Sequence, residues 1–336
     1  MSEKGLDEAV MNDIIEKMKA TRIMVVGDLM LDKFVRGEVN RISPEAPIPV
    51  VKVTSEDSYP GGAANVARNI SLFGARSGIC GVIGKDRAGD ELIRLLKKDK
   101  IQTTGLFVEP QHPTIVKTRV VARQQQVVRV DYEQPLKLLD EDIARLEQYF
   151  KRAIPRYDAV IIEDYGKGAI NQEIFDMIAT LCKENEKIVA VDPNPNNLLG
   201  FHDITVIKPN RKEAFEAAQM IDRKEEDQLR QLGEYLLELW SAREILITLS
   251  EEGMILFRRE QPPYHTPPKA REVYDVSGAG DTAIAFYTMA LAAGLKGGDA
   301  VEIANHAASV VVGKLGTATV SGEELSESFE QTRYHS

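Results

Sequence analysis

A chain of 336 residues, 43% hydrophobic and 28% charged, with a formal net charge of −10, can bury a large core, and its acidic field disfavours nucleic acid and anionic membrane as partners. Two distant cysteines, Cys80 and Cys182, read as buried reduced thiols, and five scattered histidines offer no zinc-site spacing. The polar start MSEKGLDEAV is no signal peptide and AIAFYTMALAAGL is too short to cross a bilayer, so a cytoplasmic enzyme or binding protein is expected.

In chain order, residues 6–20 place Leu6, Val10, Ile14, Ile15 and Met18 on one face of an opening amphipathic helix. RIMVVGD (22–28) follows as a buried strand ending in Gly-Asp. Residues 33–53 carry three prolines and alternating apolar positions, and residues 114–133 read as two strands joined near Gln124–Gln126. Neither stretch resembles a βα unit, and both are assigned to a small separate sheet that covers one side of the main domain. Such a sheet needs cover on its other face, which predicts a homodimer through it.

The strand pattern of 22–28 recurs in DAVIIEDYG (158–166), EKIVAVDPN (186–194), DITVIKPN (203–210) and EILITLSEEG (244–253). Helical stretches at 140–154, 171–185 and 224–241 separate these runs, so a mostly parallel sheet covered on both faces is expected. Ligands of such sheets bind beyond the carboxyl ends of the strands. This makes Asp28, Asp164, Asp192 and Asn210 candidates by position, each of which also reads as a cap or turn residue.

Four motifs carry chemistry. In PGGAANVARNISLFG (60–74), Gly61 and Gly62 let a ligand approach backbone, and Asn65 falls one turn into the helix they open. GVIGKDRAGDEL (81–92) reads as strand, turn and helix with a structural role. In KPNRKE (208–213), Asn210 and Glu213 share a face at a helix start, where they either hold a hydrated magnesium ion and phosphate oxygens or cap the helix. In VYDVSGAGDTAIAF (273–286), Gly278, Ala279 and Gly280 lead into a helix whose first N–H groups and dipole form an anion hole. Asp281, immediately behind, is placed to take a proton from a hydroxyl attacking a phosphoryl group. Asp275 either helps place magnesium or shapes the turn. No GxxxxGK[ST] is present, so a P-loop is not supported.

In this order the motifs resemble the PfkB (ribokinase-like) family of sugar and nucleoside kinases over roughly residues 20–322. The resemblance implies one kinase domain over 1–336 with a three-layer α/β/α ribokinase-like fold, a mostly parallel central sheet, and a small β-sheet lid from 33–60 and 110–135. It implies ATP with Mg²⁺, Asp281 as catalytic base and Gly278, Ala279 and Gly280 as the anion hole. Asp32, Gly61, Gly62 and Asn65 match the family's sugar-contacting positions. Thr248, Ser250, Gly253 and Asn305 match stretches lining the nucleotide site, with Asn210 and Glu213 beside them and Glu213 reaching the metal through water.

Within the family, RISPEAPIPVVKV, TRVVARQQQVVRVD, EDYGKG and KLGTATVS are similar to kinases that phosphorylate C1 of D-glycero-β-D-manno-heptose 7-phosphate in the ADP-heptose pathway. Ser277 departs from the threonine common in the catalytic motif and keeps the hydroxyl. No HxGH motif of nucleotide transfer occurs, which leaves a stand-alone kinase or a truncated chain. An acidic protein needs local cations for a sugar phosphate. Lys167, past a strand end, and Arg123, near the lid hairpin tip, are assigned to it, and Asp192 to sugar hydroxyls. The first alternative is another PfkB-type kinase acting on a different sugar phosphate or a nucleoside, and the lid motifs and Lys167 favour a phosphorylated sugar; a non-catalytic sugar-binding relative is the competing class, and intact Asp281, Asn210 and Glu213 argue against it.

Overall fold

The structure is a computed structural model that describes residues 8–333 except 124, 226, 270–272 and 315. The chain runs α1 (Glu8–Lys19), β1 (Arg22–Gly27), β2 (Leu29–Ile42), β3 (Pro49–Gly62), α2 (Ala63–Phe73), β4 (Arg76–Gly84), α3 (Arg87–Lys98), β5 (Gln102–Glu109), β6 (Ile115–Ala122) and β7 (Gln125–Tyr132). It continues through α4 (Asp140–Ala153), β8 (Ala159–Glu163), α5 (Gln172–Glu184), β9 (Ile188–Asp192), β10 (Val206–Ile207), α6 (Arg211–Ala217) and α7 (Gln228–Leu239). Then follow β11 (Glu244–Thr248), β12 (Met254–Arg258), β13 (Gln261–Thr266), α8 (Ala279–Ala292), α9 (Gly297–Val312) and α10 (Gly322–Arg333).

Nine strands form the central sheet in the order β13-β12-β11-β10-β9-β8-β1-β4-β5. The pairs from β11 to β5 are parallel, and β12 and β13 close one edge antiparallel. Because side chains alternate along a strand, each inner strand feeds two cores. Ile23 and Val25 of β1 enter one core with α1, α2, α3, α8, α9 and α10, whereas Met24 and Val26 enter the other with α4, α5, α6 and α7. The same split separates Ala159 and Ile161 from Val160 and Ile162 on β8. This is the expected three-layer arrangement.

Helix α8 is built for the centre. It is buried continuously from Asp281 to Ala290. A helix apolar all round belongs inside, and Phe286 packs edge-to-face on Phe73 of α2 at 4.9 Å between centroids. That packing sets α2 and α8 side by side, with their N-termini at the carboxyl ends of the strands.

The second sheet has the order β3-β2-β6-β7. β2 pairs antiparallel with β3 and parallel with β6, and β6 pairs antiparallel with β7. Its strands begin and end closer to the core than the expected 33–60 and 110–135: β2 starts at Leu29 and β3 runs to Gly62, so Asp28 alone separates β1 from β2. The expected join at 124–126 is tighter, with Arg123 at φ 58° in the turn; Gln124 lies outside the described residues.

Two further expectations are corrected. Val10 is 45% exposed, and Met11 takes its place with Ile14, Ile15 and Met18 on the buried face of α1; Leu6 lies outside the described residues. The strand expected over 203–210 shrinks to Val206–Ile207; on its C-terminal side Pro209 brings no N–H to extend the ladder.

Candidate active site

The site lies where β1, β8, β9 and β10 end and α2 and α8 begin. Gly62 caps α2 with φ 58° and ψ −136°, and a side chain there would meet the Asp28 carbonyl at 2.6 Å. A side chain on Gly61 would collide with the carboxylate of Asp32, so the double glycine makes room for that acid against the chain. Asn65, buried in the first turn of α2, donates from Nδ2 to Asp281 Oδ2 at 2.7 Å. One turn on, Thr282 donates to Asn69 Oδ1 at 3.1 Å, which locks the two helix starts together.

Gly278 caps α8 in the left-handed region at φ 80°, and a side chain there would press on Asn65 Nδ2 at 2.9 Å. Ala279 N donates to Val276 O at 3.3 Å and Thr282 N to Gly278 O at 2.9 Å. Between them, the N–H groups of Gly280 and Asp281 make no backbone hydrogen bond with the described residues. Two unspent donors at the positive end of a buried helix are an anion site. Asp275 has both oxygens committed to backbone, accepting from Ser277 N at 2.9 Å and Gly316 N at 3.2 Å, so it shapes this turn.

The second oxygen of Asp281 accepts from Tyr165 Oη at 2.9 Å. Tyr165 stands on the loop 164–169, which Asp28 organises by accepting from the backbone of Tyr165, Lys167 and Ala169 at 2.8, 3.0 and 3.0 Å. Asp164 holds the same loop through Gly166 N and is fixed in turn by Asn197; burial raises its carboxyl to about 6. Asp28 and Asp164, singled out by position, are thus builders of the loop.

Below Asp281 lies a cluster that the motif reading passed over. Oxygens of Glu163, Asp192 and Asp281 lie within 4.8 Å of one another. Glu163 is fully buried, and neither of its carboxylate oxygens has a hydrogen-bond partner. Lys208, also buried, pairs with Asp192 Oδ2 at 2.8 Å and lies under Gly280. Burial, then the charges of Asp192 and Asp281, push the Glu163 carboxyl well above its ordinary range. Burial raises Asp281 too, opposed by Asn65 and reinforced by Asp192. Burial works against the Lys208 charge, but Asp192, Glu163 and Glu213 overcome it and raise its pKa. The signal for both missed residues was present: Glu163 ends the apolar run AVIIE, and Lys208 interrupts apolar sequence just before Pro-Asn.

Asn210 and Glu213 form a reciprocal cap on α6: Asn210 Oδ1 accepts from Glu213 N at 2.9 Å, and Asn210 N donates to Glu213 Oε2 at 2.8 Å. A bridge joins Asn210 to Thr248. Ser250 is exposed at φ 55°, and Gly253 turns back beside Thr266. Asn305 is buried, donating to Thr266 Oγ1 at 2.9 Å and Pro267 O at 2.7 Å, so it ties α9 to the end of β13. On the opposite side, Asp32 pairs with Arg119 and Lys167 Nζ with Glu133 at 2.7 Å. Arg123 is exposed at the hairpin tip, where its N–H donates to Gly37 O, and no described contact joins it to the cluster.

An all-oxygen donor set beside a helix N-terminus, with an orphaned buried carboxylate, suits a hard divalent cation carrying phosphates. Among the described residues, no helix is long and apolar enough to cross a membrane.

The profile of the pfkB family carbohydrate kinases matches residues 20–324. The chain is similar to the bifunctional protein HldE of Desulfatibacillum aliphaticivorans, 40% identical over 311 residues, covering 93% of this chain and 63% of that protein. It is 43% identical over 305 residues to that of Photorhabdus laumondii, covering 90% and 62%. The chain therefore spans less than two thirds of the length of these relatives. Among solved structures, Arabidopsis thaliana ribokinase complexed with ribose and ATP matches with TM-score 0.72 and 20% identity, over 93% of this chain and 99% of that one. Escherichia coli phosphofructokinase-2 with substrates and products matches with TM-score 0.76 and 18% identity, over 92% and 99%.

The orphaned Glu163 gives a test. Its folded pKa lies above the unfolded value, so its protonated form favours the fold, and stability falls as pH rises through the ordinary carboxylate range. With divalent cations chelated, Glu163→Gln is expected to melt at the wild-type temperature near about pH 4 and several degrees higher near about pH 8. A difference independent of pH, followed by calorimetry, refutes the charged-carboxylate account.

Proposed function

The chain belongs to the pfkB family of carbohydrate kinases and is an ATP-dependent sugar kinase, and we propose that its acceptor is the C1 hydroxyl of D-glycero-β-D-manno-heptose 7-phosphate, giving the 1,7-bisphosphate for ADP-heptose synthesis in the cytoplasm. The observation that carries the catalytic part is the carboxylate of Asp281 held by Asn65 and Tyr165 at the mouth of α8. The choice of sugar rests on the heptose-kinase stretches, on the identity with the HldE proteins, and on the cations gathered on the lid side.

Asp281 accepts the proton of the acceptor hydroxyl, whose oxygen bonds to the γ-phosphorus of ATP as the bond to ADP breaks and ADP leaves with the electron pair. Burial and neighbouring Asp192 make this carboxylate a better base, and Asn65 and Tyr165 fix its direction. The free N–H groups of Gly280 and Asp281, and Lys208 beneath them, face the charge on the transferring oxygens. Asp32, Gly61, Gly62, Asn65 and Asp192 hold the sugar. Asn210, Thr248, Ser250, Gly253 and Asn305 line the nucleotide. Glu213 would hold Mg²⁺ near the oxygens of Glu163, Asp192 and Asp281, and the metal would supply neutralisation of phosphate charge.

We also propose a homodimer through the lid. In-register partners point to one face, so Val116, Val120, Val128, Val130 and Tyr132 share the face opposite that of Lys117 and Arg119. Val128, Val130 and Tyr132 are exposed, an apolar stripe suited to a second copy.

Three measurements test these points. Phosphorus NMR after incubation with ATP and heptose 7-phosphate is expected to show a new anomeric phosphate; product from a different sugar phosphate in its place overturns the substrate. Asp281→Asn is expected to lower kcat by roughly 10²- to 10⁴-fold while ATP affinity stays within a few-fold; near-wild-type turnover removes the base. Light scattering is expected to report twice the mass of one chain, and a monomer removes the dimer.

A further inference from the structure

The inner face of the lid carries a charge pattern with one exception. Register sets Lys117 beside Asp32 on β2 and beside Asp131 on β7, and Arg119 beside Phe34 and Arg129. Arg119 is ion-paired with Asp32 and Arg129 with Asp131. Across the cleft, Lys167 is paired with Glu133. Lys117 differs: among the described residues no carboxylate lies within ion-pair distance of its ammonium, which instead stands over the ring of Tyr165, 5.6 Å from the centroid.

The hydroxyl of that same ring bonds Asp281. One tyrosine ring therefore separates Asp281 from an ammonium without a direct ion pair. Burial, and next the charge of Lys167, lower the Lys117 pKa against the more distant charges of Asp32, Asp131 and Glu133. A partly desolvated cation beside a second cation carries a cost that an arriving anion offsets. With the nucleotide placed by the proposed function beside Asn210 and Thr248, which are bridged to each other, the anion left for Lys117 is the one on the acceptor.

We propose that Lys117 binds the phosphate of the sugar phosphate and determines the preference for a phosphorylated acceptor. Lys167, released from Glu133, is the second cation of this clamp, and Arg123 at the hairpin tip stands outside it. This rests on the reading of the substrate as a sugar phosphate. It places the selecting charge on β6, so specificity is exerted when the lid lies over the site.

Lys117→Met is expected to raise the KM for heptose 7-phosphate by roughly 10- to 100-fold, to leave the KM for ATP unchanged, and to weaken inhibition by inorganic phosphate by a similar factor. Lys117→Arg is expected to recover part of both. Unchanged KM and phosphate inhibition, or equal losses for ATP and sugar, overturn the assignment. Lys117→Gln repeats the test if the Met variant does not fold. Should the wild type phosphorylate no heptose 7-phosphate, the substrate reading falls. Phosphorus NMR titration with inorganic phosphate then decides the role of Lys117 by itself: weaker binding in the variant supports it, equal binding refutes it.

Discussion

A carboxylate withdrawn from water is costly unless donors meet it, and the site answers that demand at Asp281 while leaving Glu163 without hydrogen-bond partners. Asn65 comes from the first turn of α2, Tyr165 from the loop after β8, and Asp281 itself from α8. These three segments are far apart in sequence and meet because α2 and α8 pack together over the carboxyl ends of the parallel strands. The glycines follow from the same demand. Gly278 gives way to the Asn65 amide, and Gly61 gives way to Asp32. A carboxylate that is buried, aimed by two donors and made more basic by burial and Asp192 has, before any substrate arrives, the features the proposed base requires.

Charge is handled locally. The chain as a whole is acidic, yet the proposed substrates are both anions, and the structure offers a positive element for each: the free end of α8 with Lys208, and the cations of the second sheet. Most of these cations are already paired with carboxylates. Paired charges hold geometry with little net field, so the few that lack a partner decide where an anion settles.

Much of this was legible in the chain itself. The GAGD turn, the double glycine and Asn210–Glu213 mark three helix starts, and recurring apolar runs mark a parallel sheet; the structure puts them at one end of that sheet. The misses have a common cause. Glu163, Lys208 and Tyr165 sit beside residues that drew notice for their motifs, and their importance comes from what faces them across strands. Lys117 differs from Arg119 only by its partner, and partner depends on register, which a single strand does not encode. Val10 lost its place on α1 because two apolar faces were compatible with the spacing and only packing against the core chooses between them. Pro209 explains where β10 stops, and was visible.

The junction at Asp28 has a mechanical meaning. The lid strand β2 continues β1 after a single residue, so no slack separates the two sheets. The side chain at that junction is the one that ties down the loop bearing Tyr165 and Lys167. One residue thus anchors both the entry to the second sheet and the loop whose tyrosine reaches Asp281.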